Sequence, residues 1–390
     1  MTTKVGLNGF AEKEAAALGY LLYPYDVELS GGADGSDLII CRDSFLNSSR
    51  PLIRVPTRSD WQDDCQELRC YGNGIVDLPF DLVSACSNKF ESVLNPKVSF
   101  VYKFSTRLPF QYNIVPSSIR DHLLRIHEFD CNLSCHVANE VARKILIEAV
   151  NLLGFRLQRK NPPSLLITHD VESENGLQRA LSLKAVEDDL NIQSTWFLPS
   201  NEYPIPTDIA RDLADGSTIG SHDVKHDGKL THIRRHEELV QRGRESRSKL
   251  EDIFEKEVKC FRSPMLQFSG RIIAALGEAG YRFDFSVPCW EPLHPVTMSG
   301  FGVELVQAFE IDGVTEIPLT LFQDHQVLNI LGMSTDEAIR FWVDQAELVR
   351  SLDGNVVLLI HPDYSFSRDL QGYRRLLTSL LELQARFTIA

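Results

Sequence analysis

The segment 219–226 reads Ile-Gly-Ser-His-Asp-Val-Lys-His, and in it a short apolar strand pattern leads into two histidines. His222 and His226 are four residues apart, so a helical turn or a tight loop places both imidazoles on one side. Neutral imidazole nitrogens are good ligands for divalent metals. The same spacing also occurs on exposed helices, so a metal site requires further donors elsewhere in the chain.

A second buried-strand pattern ends in carboxylates. Residues 165–172 read Leu-Leu-Ile-Thr-His-Asp-Val-Glu, which places Asp170 and Glu172 at the end of the apolar run. Side chains of an extended strand alternate between its faces, so Asp170 and Glu172 face the same side. Strand ends that supply carboxylates and a histidine pair are the parts of a catalytic metal site. The structural alternative is that both carboxylates cap the helix that follows.

Three further segments complete an ordered set. They are Phe261-Arg262-Ser263-Pro264, the stretch from Tyr281 to Trp290, and an apolar run from Val356 that ends in His361-Pro362. In this order the five segments resemble the motifs of the polysaccharide deacetylase family, the NodB-homology domain, over residues 160–390. The resemblance implies an α/β fold, a distorted (β/α) barrel, with its chemistry at the carboxyl ends of the strands.

The resemblance also implies an activity, the metal-dependent hydrolysis of an N-acyl group, acetyl or formyl, on a sugar. It implies that His222 and His226 are metal ligands and that Asp170 is the general base. Arg262 would hold the Asp170 carboxylate ionised, and His361 would protonate the departing amine. The expected metal is zinc.

The remaining residues of the set would tune or line the site. By the same resemblance Asp284 would hydrogen-bond or tune His361. Trp290 and Pro264 would line the substrate pocket. Glu291 is an alternative polar group in this segment.

The first motif departs from the common pattern of the family. That pattern has two adjacent aspartates, of which the second is a metal ligand, but Val171 stands at the second position. We assign Glu172, one residue further on, as the third ligand and Asp170 as the base. The alternative assignment makes Asp170 the ligand and leaves the base open.

Several neighbouring polar residues are candidates for supporting roles. His169 should point away from Asp170 and pack behind the site. Asp223 follows His222 directly and is a candidate partner for its second ring nitrogen. Asp324 and His325 are candidates for lining the substrate cleft.

Composition restricts the class of partner and the compartment. The 390 residues carry a formal net charge of −14, which argues against nucleic acid as a partner. We find no apolar run long enough to span a bilayer and no signal-peptide pattern. The eight cysteines show no paired spacing. These features predict a cytoplasmic protein. Together with the family resemblance, that location implies a nucleotide-linked or lipid-linked sugar, made for a surface polysaccharide, as the substrate.

The sequence predicts three regions. Strand–helix–strand alternation indicates a small α/β domain of unknown role over 1–115, followed by a helical connection over 116–160 and the barrel over 161–390. Two other functions remain open. One is a non-catalytic carbohydrate-binding relative that has lost the metal, and the other is a hydrolase of a non-sugar amide.

Overall fold

Two sheets of different size organise the chain. The computed structural model describes residues 2–32, 34–42, 50–57, 68–71, 74–105 and 131–389. Six strands near the amino terminus form one sheet, and eight strands of the later part form another. The predicted boundary near residue 115 lies outside the described residues, so the division into domains stays a prediction.

The elements of the amino-terminal part are β1 (Thr3–Asn8), α1 (Glu12–Leu22), β2 (Val27–Gly31), β3 (Leu38–Arg42), β4 (Leu52–Val55), β5 (Arg69–Tyr71), β6 (Ile75–Asp77), α2 (Leu82–Leu94) and α3 (Phe100–Ser105). The first sheet has the strand order β2-β1-β3-β4-β6-β5, in which β5 runs antiparallel to β6 and the other neighbours are parallel. The first four residues of β3 are all buried, as expected for a sheet that is covered on both faces.

Helix α4 (Ala138–Leu152) joins the two sheets through a buried ion pair. Arg143 Nε donates to Glu140 Oε1 at 2.6 Å, and Arg143 Nη1 donates to the Tyr25 hydroxyl of the first part at 2.5 Å. The Val306 amide of the second part donates to Glu140 Oε2 at 3.3 Å. Both charges are fully buried, so each must keep the other as its partner.

The second sheet alternates with helices along the chain. Its elements are β7 (Leu165–Asp170), α5 (Glu174–Asp189), β8 (Thr195–Leu198), α6 (Thr207–Ala214), β9 (Thr218–Ser221), α7 (His236–Phe254), β10 (Cys260–Phe261), α8 (Gly270–Ala279), β11 (Phe283–Asp284), β14 (Phe309–Ile311), β15 (Val314–Glu316), α9 (Thr335–Ser351), β16 (Val356–Ile360) and α10 (Leu370–Ile389). A separate hairpin consists of β12 (Glu291–His294) and β13 (Ser299–Phe301).

The second sheet curls into a half-barrel with the order β14-β15-β11-β10-β9-β8-β7-β16. Its neighbours are parallel except for the antiparallel pair β14 and β15. An irregular segment spans the gap between the two ends of the sheet. The Leu319 amide donates to the Val287 carbonyl at 2.9 Å, and the Leu321 amide donates to the Val357 carbonyl of β16 at 3.2 Å. The predicted distorted (β/α) barrel is confirmed in this form.

Two of the expectations from composition concern described residues. Among the helices of the described ranges, none combines the length and the apolar character needed to cross a bilayer. The described cysteines are all free thiols, and Cys65 lies outside the described residues.

Candidate active site

Four parallel strands end at one edge of the half-barrel, and each places a polar side chain there. β7 ends at Asp170 and β9 ends just before His222. β10 ends just before Arg262, and β16 ends just before His361. These strands, with β8 among them, are neighbours in the sheet, so their carboxyl ends bring the four side chains together.

The metal-ligand candidates form one cluster. Glu172, His222 and His226 place their nitrogen and oxygen donor atoms within 4.8 Å of one another. His226 Nε2 lies 3.1 Å from Glu172 Oε1, and the centroids of the two imidazole rings are 5.3 Å apart. The sequence predicted these three residues as ligands, and the fold does bring them together.

His222 has a donor atom that the protein leaves unused. Its Nδ1 donates to the Arg262 carbonyl at 2.8 Å, so Nε2 carries the lone pair. Nε2 is buried and has no hydrogen-bond partner among the described residues. Burial lowers the pKa of His222 to about 4, so the ring is neutral at neutral pH. Two imidazoles and one carboxylate are a donor set that fits a divalent ion such as zinc.

Salt bridges from helix α7 hold the loop that carries the two histidines. Arg242 Nε donates to both Asp223 oxygens, at 2.8 and 3.0 Å, and Arg242 Nη2 donates to Asp227 at 2.8 Å. Asp223 has a φ of 69°, and this salt bridge holds that conformation. The proposed bond from Asp223 to the second nitrogen of His222 is therefore wrong, because the Arg262 carbonyl takes that place.

Asp170 lies beside the cluster and against a buried arginine. Arg262 Nη1 donates to Asp170 Oδ1 at 3.0 Å and to Thr168 Oγ1 at 2.9 Å. Burial raises the pKa of Asp170, but the Arg262 charge and the neighbouring imidazoles outweigh it, and the net pKa is lowered. Its other oxygen, Oδ2, lies 3.9 Å from His222 Nε2. Asp170 is thus an ionised carboxylate with one oxygen directed to the cluster.

His361 lies next to Glu172 of the cluster and is held by Asp324. Its Nδ1 is 2.6 Å from Asp324 Oδ1, and its backbone amide donates to Asp324 Oδ2 at 3.0 Å. Its Nε2 lies 3.8 Å from Glu172 Oε1. Burial lowers the pKa of His361, but the Asp324 carboxylate outweighs burial and raises the pKa to about 10. The imidazole therefore carries a proton that it can give.

The prediction that Asp284 tunes His361 is wrong, since Asp324 occupies that position. Asp284 ends β11, and strands β10, β9, β8 and β7 separate it from β16. It accepts from Ser286 Oγ at 2.7 Å and is the register partner of Glu316. Burial raises the pKa of both Asp284 and Glu316, and the neighbouring Asp284 carboxylate raises the pKa of Glu316 further.

The two predicted pocket residues differ in their surroundings. Pro264 is buried in a short 3-10 helix that follows Arg262. Trp290 stacks on His136, with 3.5 Å between ring centroids, and Lys89 Nζ lies 5.6 Å from its ring centroid. These contacts place Trp290 against the amino-terminal part of the chain. Its role in the pocket stays a prediction.

Glu291 supports the segment that carries Asp324. It is buried and accepts hydrogen bonds from Gln323 Nε2, at 3.0 Å, and from Gln326 Nε2. These two glutamines flank Asp324 in the chain, so the network fixes the position of the carboxylate that holds His361. Burial raises the pKa of Glu291 to about 7, although the two amides lower it.

Glu291→Gln is expected to change how stability depends on pH. The pKa of Glu291 is raised in the folded state. Its contribution to the free energy of unfolding is therefore complete below the unfolded-state pKa of about 4.3 and is lost as the pH rises through about 7. The free energy of unfolding of the variant, relative to that of the wild type, should therefore increase by about 1–3 kcal/mol from pH 5 to pH 8. Chemical denaturation at both pH values measures this difference, with exposed Glu310→Gln as the control. An identical difference at pH 5 and pH 8 would contradict the prediction.

His169 packs behind the site, as expected. Its Nε2 lies 2.6 Å from Glu187 Oε1, and its ring stacks on Trp196 with 3.9 Å between centroids. Its Nδ1 lies 3.0 Å from the Ile360 carbonyl, next to His361 in the chain. Glu187 could not be predicted from the sequence, because no motif marks a carboxylate inside a helix.

Comparisons with known proteins support the predicted resemblance. Residues 158–283 match the family model described as polysaccharide deacetylase. The predicted resemblance to this family is confirmed over these residues. Comparison with the curated proteins gives no match.

Solved structures of the same kind resemble the chain at low identity. A protein described as a "putative polysaccharide deacetylase" from Mycobacterium smegmatis is 16% identical, with a TM-score of 0.45 over 57% of this chain and 85% of that one. A family 4 carbohydrate esterase from Streptomyces lividans, in complex with acetate, is 15% identical, with a TM-score of 0.38 over 57% and 89%. A CE4 family pseudoenzyme from Bacillus anthracis is 14% identical, with a TM-score of 0.37 over 58% and 63%. At these TM-scores the likenesses carry no argument about activity.

Proposed function

We propose that this protein is a metal-dependent hydrolase that removes an N-acyl group from a sugar. One observation carries the proposal: an ionised carboxylate and a protonated imidazole both lie beside the donor cluster, next to different members of it. Asp170 Oδ2 is 3.9 Å from His222 Nε2. His361 Nε2 is 3.8 Å from Glu172 Oε1. A base and an acid beside a metal site are the groups that amide hydrolysis requires.

Glu172, His222 and His226 would hold the divalent ion. When bound, the ion supplies polarisation of the acyl carbonyl and a lowered pKa for water. Asp170 would accept the proton of the attacking water, whose oxygen adds to the acyl carbon. The Arg262 salt bridge suits Asp170 to this role because it keeps the carboxylate ionised in a buried position.

His361 would complete the reaction by giving its Nε2 proton to the amide nitrogen as the carbon–nitrogen bond breaks. The products are a free amino sugar and a carboxylate. Asp324 stabilises the protonated imidazole before transfer and fixes Nδ1, so Nε2 is the nitrogen that faces the substrate. The identity of the metal as zinc, a nucleotide-linked or lipid-linked sugar as the substrate, and a cytoplasmic location remain predictions from the sequence.

His361→Ala is expected to reduce kcat for an N-acetylated sugar by at least about 10²-fold, with little change in KM or metal content. An amine leaves poorly unless it is protonated, whereas the leaving group of an activated ester needs no proton. Hydrolysis of such an ester should therefore be reduced far less. Steady-state kinetics with both substrates test this. His236→Ala, at a half-exposed histidine that contacts Glu278, is the matched control. Equal losses on ester and amide would rule out the acid role.

Val171 favours a second candidate function, because it stands where the family has a metal-binding aspartate. A non-catalytic carbohydrate-binding relative would retain the cleft and bind N-acylated sugars without hydrolysing them. Metal analysis of the purified protein separates the two. One equivalent of divalent metal supports the hydrolase, and none supports the binding protein. Measuring the hydrolysis of N-acylated sugars and of cyclic amides by the protein distinguishes a sugar hydrolase from a hydrolase of non-sugar amides.

A further inference from the structure

We propose that Asp363 and Tyr364 are positioning residues that make Glu172 a usable metal ligand. The inference rests on the proposed function, in which Glu172 is the third ligand. It concerns how the chain compensates for Val171, which occupies the ordinary ligand position. Both residues belong to the segment that directly follows His361-Pro362.

Glu172 lies outside both neighbouring elements. β7 ends at Asp170, and Ser173 caps α5 by accepting from the Gly176 amide at 3.1 Å. The strand ladder therefore does not fix the backbone of Glu172. A glutamate also has one more rotatable bond than an aspartate, so holding its carboxylate in one place costs more side-chain entropy. A ligand at this position needs support from another part of the chain.

Asp363 supplies the backbone support. Its Oδ2 accepts from the Glu172 amide at 2.9 Å, and its Oδ1 accepts from the Ser173 hydroxyl. Gly176 permits this approach, since a Cβ at that position would overlap the Asp363 carboxylate. The carboxylate thus fixes the turn between β7 and α5, from which Glu172 projects.

Tyr364 supplies the side-chain support. Its hydroxyl donates to Glu172 Oε2 at 3.2 Å. The other oxygen, Oε1, then faces His226 Nε2 at 3.1 Å and His361 Nε2 at 3.8 Å. Tyr364 therefore holds one oxygen of the carboxylate and leaves the other to the cluster. Hydrogen bonds of this kind orient metal ligands, and their removal typically costs about 10–100-fold in metal affinity.

Tyr364→Phe is expected to raise the Kd for Co²⁺ and for Zn²⁺ by about 10-fold, because the hydroxyl is lost while the ring is kept. Chelator competition measures both constants, and the visible absorption of the Co²⁺ protein should change with the orientation of the carboxylate. The effect must pass through Glu172, so Tyr364→Phe should add nothing in a Glu172→Ala background. Asp363→Asn should weaken binding in the same direction. Tyr281→Phe, which removes a buried hydroxyl bonded to the Gly243 carbonyl, should leave both constants unchanged.

The outcomes of this experiment distinguish the positioning role of Asp363 and Tyr364 from the proposed function on which it rests. Wild-type Kd values in both Tyr364→Phe and Asp363→Asn, with a large loss in Glu172→Ala, would overturn the positioning role and leave the ligand set intact. Wild-type Kd values in Glu172→Ala would remove Glu172 from the ligand set, and the inference would fail with it. Thermal melts establish that each variant is folded before binding is measured.

Discussion

His222→Ala/His226→Ala protein is expected to purify without divalent metal and to show no measurable deacylation. The double substitution removes two of the three donors in the cluster, and Glu172 alone is not a metal site. The same change withdraws the positive charge that would polarise the acyl carbonyl. Elemental analysis of the purified protein measures the metal directly, and circular dichroism establishes that the variant is folded.

The chain offers a matched control for this experiment. His232 and His236 are also four residues apart, but His232 ends a short 3-10 helix and His236 begins α7, where it contacts Glu278. His232→Ala/His236→Ala protein should keep one equivalent of metal and full activity. Unchanged metal content in the His222→Ala/His226→Ala protein would refute the ligand assignment and, with it, the proposed function.

Asp170→Asn is expected to keep most of its metal and to lose about 10²–10⁴-fold in turnover. An asparagine has the size of an aspartate and keeps an oxygen for Arg262, but it cannot accept a proton from water. The buried Arg262 guanidinium loses its counter-charge, so the free energy of unfolding should fall by about 3 kcal/mol. Kinetics below the melting transition and a denaturation curve separate the two effects.

The companion variant Glu172→Gln decides between the two assignments of the third ligand. We expect Glu172→Gln to lose metal and Asp170→Asn to keep it. The Arg262 salt bridge already engages Asp170, while Glu172 Oε1 lies closest to His226. If Asp170→Asn loses the metal and Glu172→Gln keeps it, the two roles are exchanged.

The parts of the fold with strong local signals were predictable from the sequence. Helix His236–Phe254 and strand Val356–Ile360 are the two clearest cases. The helix has a polar first turn and long helical periodicity, and the strand is an uninterrupted apolar run that is buried throughout. The pairing of Asp170 with Arg262, which the family resemblance implied, is also present in the structure.

The partner of His361 was not predictable in the same way. Asp324 lies in an irregular stretch just before a π-helix, His325–Ile330, where neither period 2 nor period 3.6 marks a side chain as buried. We placed it only as a candidate for lining the cleft. Its contact with His361 arises from the path of the chain across the open end of the sheet. That path is set by tertiary contacts, such as those of Glu291 with Gln323 and Gln326, which leave no pattern in the sequence.

Arg262 supports two residues of the site through different groups, and this has a consequence for how such a protein can evolve. Its side chain orients Asp170, but its backbone carbonyl orients His222. A substitution at residue 262 removes the side-chain bonds to Asp170, to Thr168 and to the Phe285 carbonyl, but every amino acid supplies the same backbone carbonyl to His222. In the proposed hydrolase, a single mutation can therefore remove the support of the base while the bond that orients the metal ligand stays.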